Sequence, residues 1–329
     1  MKLKKISYAK YGYIFSMPFV LAFLIFSLYP IVYTIMIGFT DLKGVAATTW
    51  SFLADPLQNF RDLLNTPAFI ISLKNTFFIW ILNFIPQILL ALLLAVWFTN
   101  DRLKIKGSGF FKVIFYMPNI ITAASVAILF ASLFAYPTSP MNDLLMKLGT
   151  IDAPFNFLRS KIIAQSIVAF IQFWMWYGVT MIVLIAGING ISPTLFEAAA
   201  IDGANNRQTF FYVTLPALRT ILLYTLVTSM IGGMQMFDIP RLFVLNQGPD
   251  QATLTTSNFI YNQAFSGSYM FNRAAAASVI MFLIIAVLSA ILFWIMRDKE
   301  AAREAKIYKQ VERAYKQKMR RQKAEGRAN

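Results

Sequence analysis

Two groups of residues in this chain carry side chains that could do chemistry, and in both the chemistry is recognition. Gln172, Trp174, Trp176 and Tyr177 form the first set, and Gln235, Phe237 and Asp238 extend it after the flexible pair Gly232-Gly233. Amides and a carboxylate hydrogen-bond hydroxyl groups, and aromatic faces stack on C–H faces, so these residues suit a polar, hydroxyl-rich solute. Each also has a plainer reading. Trp and Tyr gather at membrane interfaces as anchors, Asp238 can pair with Arg241 one helical turn on, and paired glycines serve close helix packing. The second group is the polar stretch from Ile191 to Pro216, ISPTLFEAAAIDGANNRQTFFYVTLP, which holds the acidic pair Glu197 and Asp202. Among 329 residues there is no cysteine and no histidine, which excludes thiol and imidazole catalysis, disulfides and the commonest zinc ligands.

The elements that must position these residues are apolar. The chain is 58% hydrophobic and 14% charged, where a soluble protein carries about a quarter charged residues. Six apolar runs, 11–39, 75–98, 113–134, 162–188, 218–237 and 274–296, are long enough to cross a bilayer as helices. The chain is therefore expected to be an all-α integral membrane protein: a basic start (1–10), six transmembrane helices over 11–296, and a basic tail (297–329). The first run is too long for a signal-peptide core, so it reads as a persistent span.

Six spans put both termini on one side. That side, with the 99–112 and 189–217 connections and Arg219, holds 22 of the 30 Lys and Arg residues and the opposite side 8, so the termini and the 191–216 stretch are expected to be cytoplasmic. The net charge of +15 is explained by this bias without a nucleic-acid partner. In the tail, Ala301, Ala305, Tyr308, Val311, Tyr315 and Met319 recur at helical spacing, which suits an interfacial helix on anionic lipid or a docking surface for a partner.

Within the polar stretch, Thr194 and Glu197 are spaced as a capping box, and Ser192-Pro193 offers an alternative cap. A short helix over 195–202 is expected to stop at Gly203 in the left-handed conformation. Asn205 or Asn206 then caps a second helix through Phe211 and Val213, ending before Pro216. Leu195, Phe196, Phe210 and Phe211 are too few to form a core, so they must pack on the spans or on another protein.

Glu197-Ala198-Ala199, Gly203 and Val213-Thr214-Leu215-Pro216 closely resemble the EAA loop of ATP-binding-cassette importer permeases. The family pattern is E-A-A-x3-G-x9-I-x-L-P, with Val213 here in place of Ile. The resemblance extends over nearly the whole chain. Asn59-Phe60-Arg61-Asp62-Leu63-Leu64, Asn75-Thr76, Pro140-Met141-Asn142 with Leu144-Leu145, Ala186-Gly187, and Gly248-Pro249 with Thr253 are similar to the permeases of carbohydrate importers, and most of all to the MalF-like half. The chain is expected to have the six-span core without that protein's extra leading spans and large periplasmic domain.

The resemblance implies a type I importer permease fold in a bacterial cell membrane, with the loop acting as a coupling helix docked in an ATPase cleft. Glu197, Ala198, Ala199, Asp202, Gly203, Leu215 and Pro216 would carry that contact. It implies as partners a second, MalG-like permease, a cytoplasmic ATPase dimer that binds ATP and Mg, an extracellular sugar-binding protein and an oligosaccharide. It also places the sugar between the fourth and fifth spans, where Gln172, Trp176, Tyr177, Gln235, Phe237 and Asp238 are the candidates. The sequence contains no G-x-x-x-x-G-K-[ST], so any ATP must be held by another chain. Two other readings stay open: a permease for a different polar solute, and a membrane-embedded transferase. The transferase would need acidic or histidine clusters at a membrane interface, and polyamine or phosphate transport would need several intramembrane charges; neither is evident.

Overall fold

The computed structural model describes residues 9–45, 49–100, 103, 105–244, 247–267 and 269–296, with isolated positions 308, 310 and 312. The expected tail helix over 301–319 therefore lies almost wholly outside the described residues. The described residues form helices joined by turns and loops, and their one β contact is an isolated bridge between Thr40 and Phe52.

Among the described residues five helices are long and apolar enough to cross a membrane: α1 (Lys10–Ile37), α3 (Pro67–Thr99), α7 (Lys161–Asn189), the segment Arg219–Phe243, and α13 (Phe271–Ile295). Between α1 and α3 lies the short α2 (Gln58–Leu64). Helix α3 begins eight residues before the expected 75, because a hydropathy boundary is not a helix boundary: Pro67 at the first turn starts the helix and Lys74 continues it. At about 1.5 Å per residue its 33 residues reach roughly 50 Å, past the hydrocarbon layer.

The third span is not the continuous helix expected over 113–134. It is a bent pair, α4 (Ser108–Tyr116) with a 3-10 turn (Met117–Ile120), and α5 (Ala123–Leu133), meeting at 88°. Pro118 removes a backbone donor at the break, and Thr122 caps the new helix by accepting from the Ser125 N–H at 3.2 Å. The break rests on α7 at Gly178. A Cβ there would lie 2.1 Å from the Phe115 carbonyl oxygen, so only glycine admits this approach. The pair then climbs α7: Phe115 meets Tyr177, and Phe130 meets Trp174 and Phe170. Helix α6 (Pro140–Lys147) follows.

Helices α3 and α7 pack along their length and form the centre of the bundle. Toward the end that carries residues 190–217, Ala91, Leu94 and Ala95 bury against Met181, Leu184, Ile185 and Ile188. Toward the opposite end, Ile79 packs with Val126, Ile167, Val168, Ile171, Met175, Ile239 and Phe243. The fifth span breaks into α10 (Arg219–Met234) and α11 (Asp238–Phe243), and α12 (Thr256–Phe265) leads to α13.

Asparagine and glutamine side chains fasten the irregular segments at that opposite end. Asn75 donates to the carbonyls of Gln251 and Leu254 at 2.7 and 3.1 Å, and Gln165 donates to Ala252 at 2.9 Å. These bonds hold a loop in which Gln247, Asp250 and Gln251 all have positive φ. Asn59 similarly donates to the carbonyls of Gly38 and Thr40, both at 2.9 Å. Through that clasp α1 is tied to the bundle at one end, while none of its most apolar window is buried.

Candidate functional site

The polar stretch folds as α8 (Pro193–Ile201), a turn, and α9 (Asn206–Thr209). Ser192 is the N-cap with Pro193 at the first turn, and no side chain caps the helix. The Thr194–Glu197 capping box is thus not formed. Starting at Pro193 moves Thr194 inside the helix, where its hydroxyl lies 2.8 Å from that of Ser192.

At the other end Gly203 has φ +74°, with Ala204 N–H bonded to Ala199 O at 2.9 Å and Gly203 N–H to Ala200 O at 3.2 Å. That pair of bonds is a Schellman turn, which needs a left-handed residue at this position. Asn205 and Gln208 then form a reciprocal capping box, each accepting from the other's backbone N–H at 2.9 and 2.8 Å. Pro216 does not end this second helix, as the sequence suggested. A π-helical segment, Phe210–Thr214, continues into Leu215–Ala217, and the chain turns at the buried Leu218 into α10. The wider π turn and the placement of Pro216 at the start of a new turn accommodate its missing N–H. The stretch is therefore continuous with the fifth span.

Glu197, Ala198, Asp202, Gly203 and Pro216 are exposed, Leu215 is half-buried and Ala199 is buried. Ile201 is 86% exposed at the tip of α8. Glu197 also lines a groove of about 520 Å³ with Phe196, Phe210, Asn206, Thr99 and Asn189.

A second cavity, of about 240 Å³, opens between α3, α7 and α10. Its walls are Asn83 and Gln87 from α3, Gln172, Trp176, Val179, Thr180 and Val183 from α7, and Tyr224, Thr225, Thr228, Ser229, Gly232 and Gly233 from α10. No charged residue lines it. Gln87 donates to Thr180 Oγ1 at 2.9 Å and to Ser229 Oγ at 3.3 Å, joining the three helices. Gly233 packs on the Trp80 indole, whose Cδ1 would stand 2.2 Å from an added Cβ, so this glycine serves the close packing that the sequence allowed.

Of the six sequence-predicted recognition residues, the cavity takes Gln172 and Trp176. Tyr177 turns away from it, buried between Phe115 and Phe173 at ring distances of 6.2 and 5.6 Å. Gln235, Phe237 and Asp238 are also off the cavity, because α10 ends at Met234 and Gln235 is its cap. Phe237 packs on Tyr261 at 5.2 Å, and Asp238 is exposed in the first turn of α11. Nor does Arg241 pair with Asp238. Its guanidinium lies over the Tyr261 ring at 4.2 Å and the Phe237 ring at 5.5 Å, and donates to Asn262 Oδ1 at 3.1 Å.

Sequence reasoning missed Asn83, Gln87, Thr180, Tyr224, Thr225, Thr228 and Ser229. A signal was available: Asn83 and Gln87, and Tyr224 and Thr228, are four residues apart, so each pair puts polar groups on one face of an apolar span. Among the described residues no group of three or more His, Cys, Asp or Glu is gathered as metal ligands would be.

No protein-family profile matches the chain. It is 30% identical over 290 residues to the lactose transport system permease protein LacF of Rhizobium radiobacter, covering 88% of this chain and 95% of that protein. It is 32% identical over 280 residues to the arabinooligosaccharides transport system permease protein AraP of Bacillus subtilis, covering 85% and 86%. Among solved structures, a chain of a bacterial alginate ABC transporter, crystallised with an alginate pentasaccharide-bound periplasmic protein, superposes with a TM-score of 0.69 at 25% identity. That match covers 87% of this chain and 93% of the other.

Proposed function

The chain belongs to the permease subunits of sugar ABC transporters, and from that membership we propose that it forms half of an import pathway for a neutral oligosaccharide. One observation carries the choice of solute: the cavity between α3, α7 and α10 is walled by amides, hydroxyls and the Trp176 indole, without a charge. A neutral sugar can exchange its water hydrogen bonds for those of Asn83, Gln172 and Thr228 and lay a C–H face on Trp176. A uronate in the same place would lose hydration with no cation to compensate it. A polyamine would lack carboxylates for the same reason.

The energy source in this reading is a separate cytoplasmic ATPase dimer holding ATP and Mg, with α8 as the contact. Half-exposed Leu195 in the first turn of α8 and exposed Ile201 at its end favour a protein partner below it. Glu197, Ala198, Ala199, Asp202 and Gly203 would seat in the ATPase, and Leu215 and Pro216 would pass its motion into α10, since the backbone runs unbroken between them. In this reading the end carrying α8, and both termini, face the cytoplasm, which the charge bias supports. An apolar α1 tied to its own bundle at one end only supports a second permease, and lipid, as its neighbours. An extracellular sugar-binding protein would deliver the solute at the opposite end. Nucleotide binding would draw the two coupling helices together and reopen the cavity outward, so the chain itself makes and breaks no covalent bond.

Competition for uptake in the reconstituted complex tests the solute. Unlabelled neutral oligosaccharides should compete with labelled neutral sugar, and oligouronates of equal length should not. Uptake restricted to uronates would overturn this reading.

A further inference from the structure

We propose that Gln87 is a positioning residue that ties the cavity's occupancy to the movement of α10, a role that rests on the cavity being the sugar's path. Its side chain is 5% exposed, and both hydrogens of its amide nitrogen are committed, one to Thr180 Oγ1 on α7 and one to Ser229 Oγ on α10. Thr180 in turn donates to the Trp176 carbonyl at 3.1 Å, which fixes the orientation of the hydroxyl that Gln87 meets. All three residues line the cavity, so a sugar hydroxyl entering it competes for the same donors and acceptors.

The two bonds differ in a useful way. The bond to Thr180 is short and joins α3 to α7, which pack along their full length and form the fixed part of the bundle. The bond to Ser229 is longer, 3.3 Å, and joins that fixed part to α10. A solute hydroxyl that takes over either Ser229 Oγ or the Gln87 nitrogen removes the polar tie between α10 and α3 and leaves α10 held there by packing alone, such as Gly233 on Trp80. Pro86 stands beside Gln87 within α3 and leaves one carbonyl of the preceding turn unbonded, so the glutamine sits where its helix yields most readily. Helix α10 leads back through Leu218 into the π segment and α9, so its release reaches the exposed loop without an intermediary. An empty cavity keeps the latch closed, and an occupied one opens it.

The test compares wild type, Gln87→Leu and Ser229→Ala in the complete transporter, in which the chain's lack of cysteine allows spin labels at Ile182 on α7 and Leu223 on α10. Two measurements are made: ATP hydrolysis with and without sugar-loaded binding protein, and the label-to-label distance distribution without sugar. Loss of one or two buried hydrogen bonds should raise the unstimulated rate about five- to tenfold and reduce stimulation correspondingly. The sugar-free distance distribution should broaden in both variants. If the assembled variants keep the wild-type distribution and the wild-type ratio of rates, the latch does not exist. If they lose only apparent affinity for sugar, Gln87 is a solute contact and the latch is again refuted. The distance measurement needs no transported sugar, so it judges the latch even if uptake experiments overturn the oligosaccharide reading.

Discussion

Replacing Gly178 by alanine tests the packing on which the bent third span depends. A methyl at this position would stand 2.1 Å from the Phe115 carbonyl oxygen and 2.9 Å from both the Phe115 carbonyl carbon and the Tyr116 Cα, where ordinary contact begins at 3.4 Å. These are backbone atoms, so no rotamer change relieves the overlap, and the break must move off α7 by about 1 Å. Overpacking of this kind costs about 1–3 kcal/mol. Removing glycine from a helix returns roughly 0.5–1 kcal/mol, which leaves a net loss of about 1–2 kcal/mol. For a chain of this size the apparent melting midpoint should fall by about 1.5–3 °C. The assay is a thermal scan of the purified protein in detergent, followed by tryptophan fluorescence and far-ultraviolet circular dichroism. Gly12 supplies the control, since nothing lies within 4 Å of a Cβ there. Gly12→Ala should hold or raise the midpoint. A Gly178→Ala protein that melts with wild type would refute the seating of the break on α7.

Three other outcomes are expected. Gly203→Trp should break the Schellman turn, because φ +74° strains any side chain, and should reduce both ATPase association and uptake at least tenfold; pull-down of the ATPase together with transport assays checks it. Trp176→Ala should raise the KM for uptake about tenfold with little change in assembly, since an aromatic stacking contact is lost, whereas Asp238→Asn, away from the cavity, should leave KM unchanged. The Ser51 N–H and hydroxyl hold the Asp41 carboxyl below its ordinary value of 3.8, so its clasp on the 41–51 loop is complete above that value and is lost only as pH falls through the depressed one. Limited proteolysis of this loop should be faster in Asp41→Asn than in wild type at neutral pH, with the difference closing as the pH falls below 3.8 through the depressed value.

Hydropathy revealed the spans because, among the described residues, five of them hold an apolar helical segment 25 residues or more in length, and a bilayer-crossing run is a long-range average that single residues do not disturb. It missed the start of α3, whose first turns lie outside the apolar run, and the break at Pro118, which needs both a proline and the accepting Gly178 some sixty residues away. The loop was legible in its local chemistry: Gly203 and Asn205 act within a few residues, the first because it lacks a Cβ and the second through its capping amide. Pro216 did not stop its helix because a π turn upstream absorbed the missing donor, an adjustment with no sequence signature of its own. The cavity was half legible. Gln172 and Trp176 stand on its wall, but composition alone drew attention to aromatic and acidic residues past the end of α10. The serines, threonines and amides that complete the wall are small, and only their four-residue spacing on two spans betrays them.

The central claim, that this chain carries a neutral oligosaccharide inward at the expense of a partner's ATP, is tested most directly by uptake into sealed proteoliposomes. The chain would be reconstituted with its second permease and ATPase, supplied outside with loaded binding protein, and given ATP within. The account predicts accumulation of labelled neutral oligosaccharide against a gradient, abolished without ATP and in Gly203→Trp. Equal accumulation with and without ATP, or in Gly203→Trp, would contradict it.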